Sequence, residues 1–364
     1  MAASTPPAKA PLIPPPSTIR TLFFFPLALG RVRETWPNCS CDFRFLRDML
    51  LPSNMKRIAV NNAFSPILTA LLAVLLLAGC SGKKKNTEPH VAEIVSSILE
   101  TRQTLEKEHC PDGCIFLSFW DFDGTILKGD CSEGLSKDGK VVYRGLVELT
   151  IEQGFSSKFR RNEAHLFEKE YRRRDEQLGH RNAYTFLTTQ YGGANPEEIQ
   201  AFARKRFEEV YRNYYFRSSL EMWKSLEEAG IQNHIISASP HFFVQAAAES
   251  LETPPERING VRLKMQDGRL LPVLDPPLTY AEGKTRTLEA IVQRIQSENP
   301  GQRVFVLAAF GNSYHTDGHF LDYVDSSTLP TGKTKAIMIN GGEAPPEYNG
   351  RFVEVSQDLT PEEP

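Results

Sequence analysis

Apolar positions along the chain follow two patterns, and each pattern predicts a different element. From Val91 to about Glu108 they recur every three or four residues, which predicts an amphipathic helix. Elsewhere they form short continuous runs bounded by polar residues or glycine, which predict buried strands. The predicted strands are Cys114–Trp120, Asn233–Ile236, Arg303–Phe310, Lys335–Ile339 and, as a candidate for the last one, Phe352–Val355.

The stretch between the first two predicted strands is almost wholly helical in pattern. From about Cys131 to Leu226, apolar and aromatic residues fall at helical spacing, and Gly192-Gly193 with Asn195-Pro196 marks a break. After the second strand the alternation of strands and helices resumes. Further predicted elements are a helix from Pro240 to about Leu251, a hairpin-like section around Val261–Met265 and Leu270–Val273, and a helix from Lys284 to about Ile295.

Alternating strands and helices indicate an α/β fold with a parallel sheet. We predict a Rossmann-like core domain formed by residues 91–130 and 227–364, with a helical cap domain, residues 131–226, inserted between the first and second strands. Ligands of such sheets lie outside the carboxyl ends of the strands. Polar residues follow three of the predicted strands, and these ends are where functional side chains are expected.

The first of these strand ends carries two carboxylates. Asp121 and Asp123 follow the apolar run directly, and because side chains alternate along a strand, both point to the same side. Gly124 permits the tight turn that leaves them exposed. Paired acids at a sheet edge can bind a divalent cation, and one can act as nucleophile while the other donates a proton. The alternative interpretation is a solvated turn that ends a strand.

The charge balance gives no indication of a nucleic-acid partner. Charged residues make up 24% of the chain and the net charge is −3. The arginines of Arg172-Arg173-Arg174 are interleaved with acids, which is typical of a solvated helix face. Gly283-Lys284-Thr285 and Gly332-Lys333-Thr334 both lack the glycine that a nucleotide P-loop carries five residues earlier, so neither is read as one.

The first 90 residues differ from the rest. Residues 1–54 are rich in proline, serine and alanine and are interpreted as a non-native or disordered extension. Residues 55–80 begin with Met55-Lys56-Arg57, continue with an apolar run and end at Cys80, which is the layout of a secretory signal peptide. The run is short for a membrane span of about 20 residues. A plain transmembrane anchor with a chance cysteine is the alternative.

Leu77-Ala78-Gly79-Cys80 resembles the lipobox of bacterial lipoproteins. The resemblance implies lipidation of Cys80, a polar tether at residues 81–90, and Met55 as the true start. Two or more acyl chains anchor a protein stably to a membrane. Ser81 resembles the outer-membrane sorting signal, so the expected location is outside the cytoplasm, lipid-anchored at the periplasmic face of the outer membrane of a bacterium.

Three cysteines follow the lipobox. Cys110 and Cys114 could close a small disulfide loop in an oxidising compartment, which would leave Cys131 unpaired. Two cysteines without a nearby histidine pair do not make a zinc site. The cysteine pattern is therefore compatible with a protein exported from the cytoplasm.

Four motifs carry a resemblance to a known family. In order they are Asp121-Phe122-Asp123-Gly124-Thr125, Ser237 at a strand end, Lys284 at a helix start, and Gly311-Asn312-Ser313 followed by Asp317. Their order and spacing resemble the haloacid dehalogenase superfamily of phosphohydrolases over about residues 115–340. The helical insertion resembles the cap domain of phosphoserine phosphatase and its relatives.

The resemblance implies a Mg²⁺-dependent phosphomonoesterase that works through an aspartyl-phosphate intermediate on a small phosphorylated metabolite. Asp121 would attack phosphorus, Asp123 would act as acid and then base, and Lys284 would neutralise developing charge. The expected phosphate-binding residues are Gly124, Thr125, Ser237, Ala238 and Lys284. The expected metal ligands are Asp121, Asp123, Asn312 and Asp317.

Asn312 departs from the family pattern, in which aspartate follows the glycine of the fourth motif. An amide oxygen can still ligate Mg²⁺ with less charge, and Asp317 can keep the acidic role. A catalytically weak or inactive binding protein on the same fold therefore stays open, and so does a phosphomutase. Asp123 argues for phosphoryl chemistry, because the dehalogenases of the family lack this second acid.

Overall fold

The centre of the protein is a seven-stranded sheet. The computed structural model describes residues 89–358. The strands are β1 (Cys114–Trp120), β2 (Gly134–Lys137), β3 (Lys140–Arg144), β4 (Ile231–Pro240), β5 (Ile258–Gln266), β6 (Arg269–Asp275), β7 (Arg303–Gly311), β8 (Lys335–Ile339) and β9 (Val353–Val355). The order across the sheet is β6-β5-β4-β1-β7-β8-β9, while β2 and β3 form a separate hairpin. Neighbours in the sheet are parallel except β5 and β6, which are antiparallel.

Along the described residues, one α-helix precedes β1 and the other α-helices lie between later strands. They are α1 (Pro89–His109), α2 (Leu146–Gln153), α3 (Ala164–Leu178), α4 (His180–Thr189), α5 (Pro196–Glu209), α6 (Arg217–Glu228), α7 (His241–Val244), α8 (Glu282–Glu298) and α9 (Tyr314–Asp325). The start of α5 shows how the sequence sets a boundary. The side chain of Asn195 accepts a hydrogen bond from the backbone N–H of Glu197 at 2.9 Å, and Pro196 occupies the first helical position.

The apolar run of β1 is buried on both faces of the sheet. Phe116 and Trp120 belong to one apolar cluster, and the alternating positions Leu117 and Phe119 belong to the other. Trp120 stacks on Phe310 of β7 with ring centroids 3.6 Å apart. This two-sided burial, between β4 and β7, fixes the register of β1 and with it the position of the residues that follow.

The predicted α/β fold with a Rossmann-like, mostly parallel sheet is confirmed, and two local predictions are wrong. Residues 134–144, which we predicted to be helical, form the β2–β3 hairpin. The polar turn Lys137-Asp138-Gly139-Lys140 explains this, because Asp138 and Gly139 both have positive φ, which suits a two-residue hairpin turn. The helix predicted from Pro240 to Leu251 consists only of α7 followed by a 3₁₀ turn, Gln245–Ala247.

Helices α2–α6 and the hairpin lie between β1 and β4 in sequence, where a cap domain at residues 131–226 is predicted; the domain boundaries themselves stay a prediction. Cys110 and Cys114 are joined by a disulfide, and Cys131 is a buried free thiol. Among residues 89–358, no helix combines the length and apolar character needed to cross a bilayer. The extension, the signal peptide with Cys80, and the tether up to residue 88 lie outside the described residues.

Candidate active site

The site begins where β1 ends. The backbone N–H of Asp121 donates to the carbonyl of Phe310 on β7 at 2.8 Å, which extends the strand pairing by one residue and fixes the nucleophile candidate. Gly124 then turns the chain with φ of +76°, a backbone conformation that residues with a Cβ rarely adopt. Its N–H donates to the carbonyls of Leu127 and Gly129, so the turn closes on itself.

A buried lysine bridges two carboxylates at this edge. The Nζ of Lys284 lies 2.5 Å from Oδ1 of Asp121 and 2.5 Å from Oδ1 of Asp317. Lys284 and Asp317 are both fully buried, and Asp121 is only 4% exposed. A buried ion pair of this kind needs its remaining polar atoms to be satisfied. Oδ2 of Asp121 accepts from the Thr125 hydroxyl at 3.2 Å, and Oδ2 of Asp317 accepts from the backbone N–H groups of residues 312 and 313.

The packing at the start of α8 explains how Lys284 reaches the two acids. A Cβ on Gly283 would lie 1.6 Å from the carbonyl oxygen of Leu278, so the helix start approaches the preceding loop as closely as only glycine allows. Burial and, next, the charge of Asp317 raise the pKa of Asp121 to about 7, although Lys284 acts in the opposite direction. Burial lowers the pKa of Lys284, but the two carboxylates outweigh it and hold that pKa above its usual value.

The second acid, Asp123, is surrounded by hydrogen-bond donors. Its Oδ1 accepts from the backbone N–H of Cys131 at 2.7 Å. Its Oδ2 accepts from the hydroxyls of Ser239 at 2.7 Å and Ser237 at 3.3 Å. Burial raises the pKa of Asp123, and the bonds from Cys131 and Ser239 oppose that shift. Because burial and hydrogen-bond donors shift the pKa of Asp123 in opposite directions, this carboxyl group is suited to gain and lose a proton during a reaction.

Asn312 lies directly against the turn of the first motif. A Cβ on Gly124 would come within 1.8 Å of the Asn312 amide nitrogen, so any larger residue at position 124 would displace Asn312. Both residues, together with Asp123, line a cavity of about 680 Å³. The β2–β3 hairpin and Asn340 form other parts of its wall. Of the two acids, Asp123 lines this cavity, so a small molecule bound there would contact it.

The structure brings together nearly all the predicted site residues. Contacts described above join Asp121, Thr125, Lys284 and Asp317 in one group and Asp123 with Ser237 in a second, and they place Gly124 beside Asn312. Ala238 is buried in β4 between Ser237 and Ser239. Cys80 is outside the described residues.

Sequence reasoning missed Ser239 and Asp130. The Asp130 carboxylate accepts from the backbone N–H groups of Ser132 and Glu133 at 2.6 and 2.9 Å. Potential ligand atoms of Asp123, Asp130 and Cys131 lie within 4.8 Å of one another. The available signals were a second hydroxyl in Ser237-Ala238-Ser239 and an acid shortly after the first motif, and neither is distinctive alone.

The residues at this edge fit a hard divalent cation. Two oxygens that each lie 2.5 Å from the same Lys284 nitrogen are no more than about 5 Å apart, so the carboxylates of Asp121 and Asp317 converge at this edge. The backbone N–H of Asn312 donates to Asp317 at 2.9 Å, and the side-chain amide of Asn312 lies beside Gly124. Carboxylate and amide oxygens are the ligands that Mg²⁺ prefers.

Comparison with known proteins gives one family. The family described as haloacid dehalogenase-like hydrolase matches residues 118–317, which contain the site residues named above. No curated protein matches the chain.

Solved structures with the same fold share little sequence with the chain. A protein of unknown function from Bordetella pertussis Tohama I has a TM-score of 0.50 and 15% identity, over 68% of this chain and 100% of that one. A functionally unknown protein from Anaerococcus prevotii DSM 20548 has a TM-score of 0.51 and 15% identity, over 76% and 97%. A substrate-bound phosphoserine phosphatase complex has a TM-score of 0.40 and 14% identity, over 67% and 94%. The first two likenesses support the fold alone.

Proposed function

The chain belongs to the haloacid dehalogenase-like hydrolases, and from that premise we propose that it is a Mg²⁺-dependent phosphomonoesterase of small phosphorylated metabolites. The observation that carries the proposal is the triad of Asp121, Lys284 and Asp317, with Asp123 held two residues from the nucleophile candidate. Phosphoryl transfer requires positioning and charge neutralisation above all. The site offers an anionic nucleophile, a buried cation and a separate acid.

Asp121 acts as the nucleophile in this proposal. Lys284 and the Thr125 hydroxyl each hold one of its oxygens, which restricts rotation of the carboxylate. One carboxylate oxygen forms a bond to phosphorus while the bond between phosphorus and the ester oxygen breaks, and that bond's electron pair leaves with the ester oxygen. The product is an aspartyl phosphate, which water then hydrolyses.

Asp123 supplies and recovers the proton. As a carboxylic acid it protonates the departing ester oxygen, and as a carboxylate it takes a proton from the water that attacks the aspartyl phosphate. The Ser237 hydroxyl, on β4 and 3.3 Å from Asp123, would contact a phosphate oxygen in this proposal. Gly124 and Ala238 contribute backbone in this proposal, since neither has a polar side chain.

Mg²⁺ is proposed as the cofactor because members of this family generally use it and the donor set fits it. Asp121, Asn312, Asp317 and the backbone carbonyl of Asp123 would hold the ion, and when bound it neutralises negative charge on the phosphoryl oxygens. Asn312 also supports the second candidate function, a weakly active or inactive binding protein, because it removes one negative charge from this set. A phosphomutase is the remaining enzyme alternative.

The test is phosphate release by the purified protein from a panel of phosphomonoesters, with Mg²⁺ and with a chelator. Release that depends on metal would support the phosphatase, and the best ester would begin to define the substrate. If a folded protein releases phosphate from no ester but still binds phosphorylated ligands by calorimetry, the binding-protein alternative gains support.

Asn312→Asp tests whether the amide weakens the metal site. Because ligand charge tunes the affinity of oxygen sites for divalent ions, we expect activity to persist and the Mg²⁺ concentration for half-maximal activity to fall, on the order of 10-fold. The measurement is a Mg²⁺ titration of phosphate release, with calorimetric titration of the ion as a second readout. Asn349→Asp, which adds the same charge at an exposed turn, is the control. Complete loss of activity in the Asn312 variant would show that the amide has a role other than ligation.

We also propose that the protein is exported and lipid-anchored to a bacterial membrane through Cys80. The lipobox in the sequence supports this, and the Cys110–Cys114 disulfide is compatible with an oxidising compartment. Cys80→Ser is expected to shift the protein from the membrane fraction to the soluble fraction, measured by fractionation and detergent partitioning. A Cys80→Ser protein that stays in the membrane would show instead that the apolar run is an uncleaved anchor.

A further inference from the structure

Ser239 makes the shortest side-chain contact with the proposed acid. Its hydroxyl oxygen lies 2.7 Å from Oδ2 of Asp123, compared with 3.3 Å for Ser237 and 3.6 Å for the thiol of Cys131. Ser239 is 4% exposed. A short hydrogen bond to a carboxylate is stronger than one between neutral groups.

A second buried serine fixes the direction of this bond. The Ser132 hydroxyl donates to the Ser239 oxygen at 3.0 Å, and Ser132 is 2% exposed. A serine hydroxyl has one proton, so Ser239 donates to Asp123 while it accepts from Ser132. The backbone N–H of Ser132 is held in turn by Asp130 at 2.6 Å. The result is a directed chain of hydroxyls, Ser132 to Ser239 to Asp123.

The chain is built on rigid elements. Ser239 belongs to β4, which pairs with β1, so its hydroxyl is held relative to the residues that follow β1. The backbone N–H of Ser239 also donates to the Ser237 oxygen at 3.0 Å, which leaves the Ser237 proton to face Asp123. Ser239 therefore orders both side-chain hydroxyls at the acid.

We infer that Ser239 is a positioning residue for leaving-group protonation: it holds Asp123 and stabilises the carboxylate that forms when Asp123 gives its proton to the ester oxygen. The inference rests on the proposed phosphatase function. Donors placed where charge develops act in the transition state more than in the ground state. The contribution of Ser239 should therefore depend on how much the leaving oxygen needs a proton.

The test compares two esters in the wild-type protein and in Ser239→Ala. For a primary alkyl phosphate, whose alkoxide leaves poorly, kcat/KM is expected to fall by about 10- to 100-fold, the range for a lost hydrogen bond to a charged group. For p-nitrophenyl phosphate, whose phenolate leaves without a proton, the fall in kcat/KM is expected to stay below about 3-fold, since kcat/KM does not include the later hydrolysis of the aspartyl phosphate. Ser132→Ala should shift the ratio of the two kcat/KM values in the same direction by less.

Two controls separate positioning from folding. Ser239→Thr keeps the hydroxyl and should restore the wild-type ratio of the two kcat/KM values, and it also serves if the alanine variant does not fold. Ser250→Ala removes a hydroxyl that pairs with Tyr215 at 2.7 Å and should leave the ratio unchanged. Equal falls for both esters, or no fall in either, would overturn the inference. A wild-type protein inactive on both esters would overturn the proposed function instead, and the inference with it.

Discussion

Asp121→Asn is expected to lower kcat by about 10³-fold or more, for every ester tested. An amide is a poor nucleophile toward phosphorus, and no neighbouring group can take the place of Asp121. Asp317 is held by Lys284 and by two backbone N–H groups, so it is not free to move into that position. The loss should therefore be independent of the leaving group, since bond formation to phosphorus is removed altogether.

The measurement is single-turnover phosphate release, with acid-quenched protein examined for a covalently bound phosphoryl group. Asp267→Asn is a matched control, because Asp267 lies at the exposed tip of the β5–β6 hairpin with φ of +52°, where asparagine is well tolerated. That control should retain wild-type activity. Normal turnover in Asp121→Asn, or a phosphoprotein that still forms, would remove Asp121 from the nucleophile role.

Asp123→Asn is expected to lower kcat by about 10²- to 10⁴-fold for alkyl phosphates, the range for loss of a general acid and base. Asparagine preserves the shape of the side chain and can still accept from the Cys131 N–H, but it cannot deliver a proton. The loss should be smaller for p-nitrophenyl phosphate in the first step. Because hydrolysis of the aspartyl phosphate still needs a base, the phosphoprotein should accumulate with that ester.

The two variants thus give different signatures. Burst kinetics with p-nitrophenyl phosphate report the first step separately from the second. A burst is expected in Asp123→Asn and is not expected in Asp121→Asn. Unchanged turnover of alkyl phosphates by Asp123→Asn would mean that another group supplies the proton, and Asp130, which has a carboxylate oxygen within 4.8 Å of Asp123, would then be the residue to substitute.

The sheet and most of the site could be predicted from local sequence because their signals are local. The strand Lys335–Ile339 was predicted with the bounds that the structure has, since a continuous apolar run between polar residues has few alternatives. The hairpin at residues 134–144 was not, because β2 is half-exposed and carries no apolar run. Tertiary contacts of Tyr143 contribute to the position of the hairpin instead, since the Tyr143 hydroxyl donates to the Lys128 carbonyl.

The site residues also divide into those that local sequence predicts and those that only tertiary contacts bring together. Asp121, Asp123 and Lys284 stand at strand ends and helix starts, where position in the chain predicts position in space. The contact between Ser239 and Asp123 depends on the pairing of β4 with β1, because the two residues are 116 positions apart in sequence. The contact between Gly124 and Asn312 is of the same kind. Sequence spacing carries no information on such distances between side chains.

The strand order has a consequence for how the protein reaches its working state. Asp121 and Lys284 are 163 residues apart in sequence, and the three strands β4, β1 and β7 must pair before their ends meet. Closing such long loops is slow, because chain entropy is lost before the stabilising contacts form. Secondary structure should therefore recover earlier than enzymatic activity during refolding. Regain of turnover would then report completion of the central sheet, a late folding event that far-ultraviolet circular dichroism does not resolve.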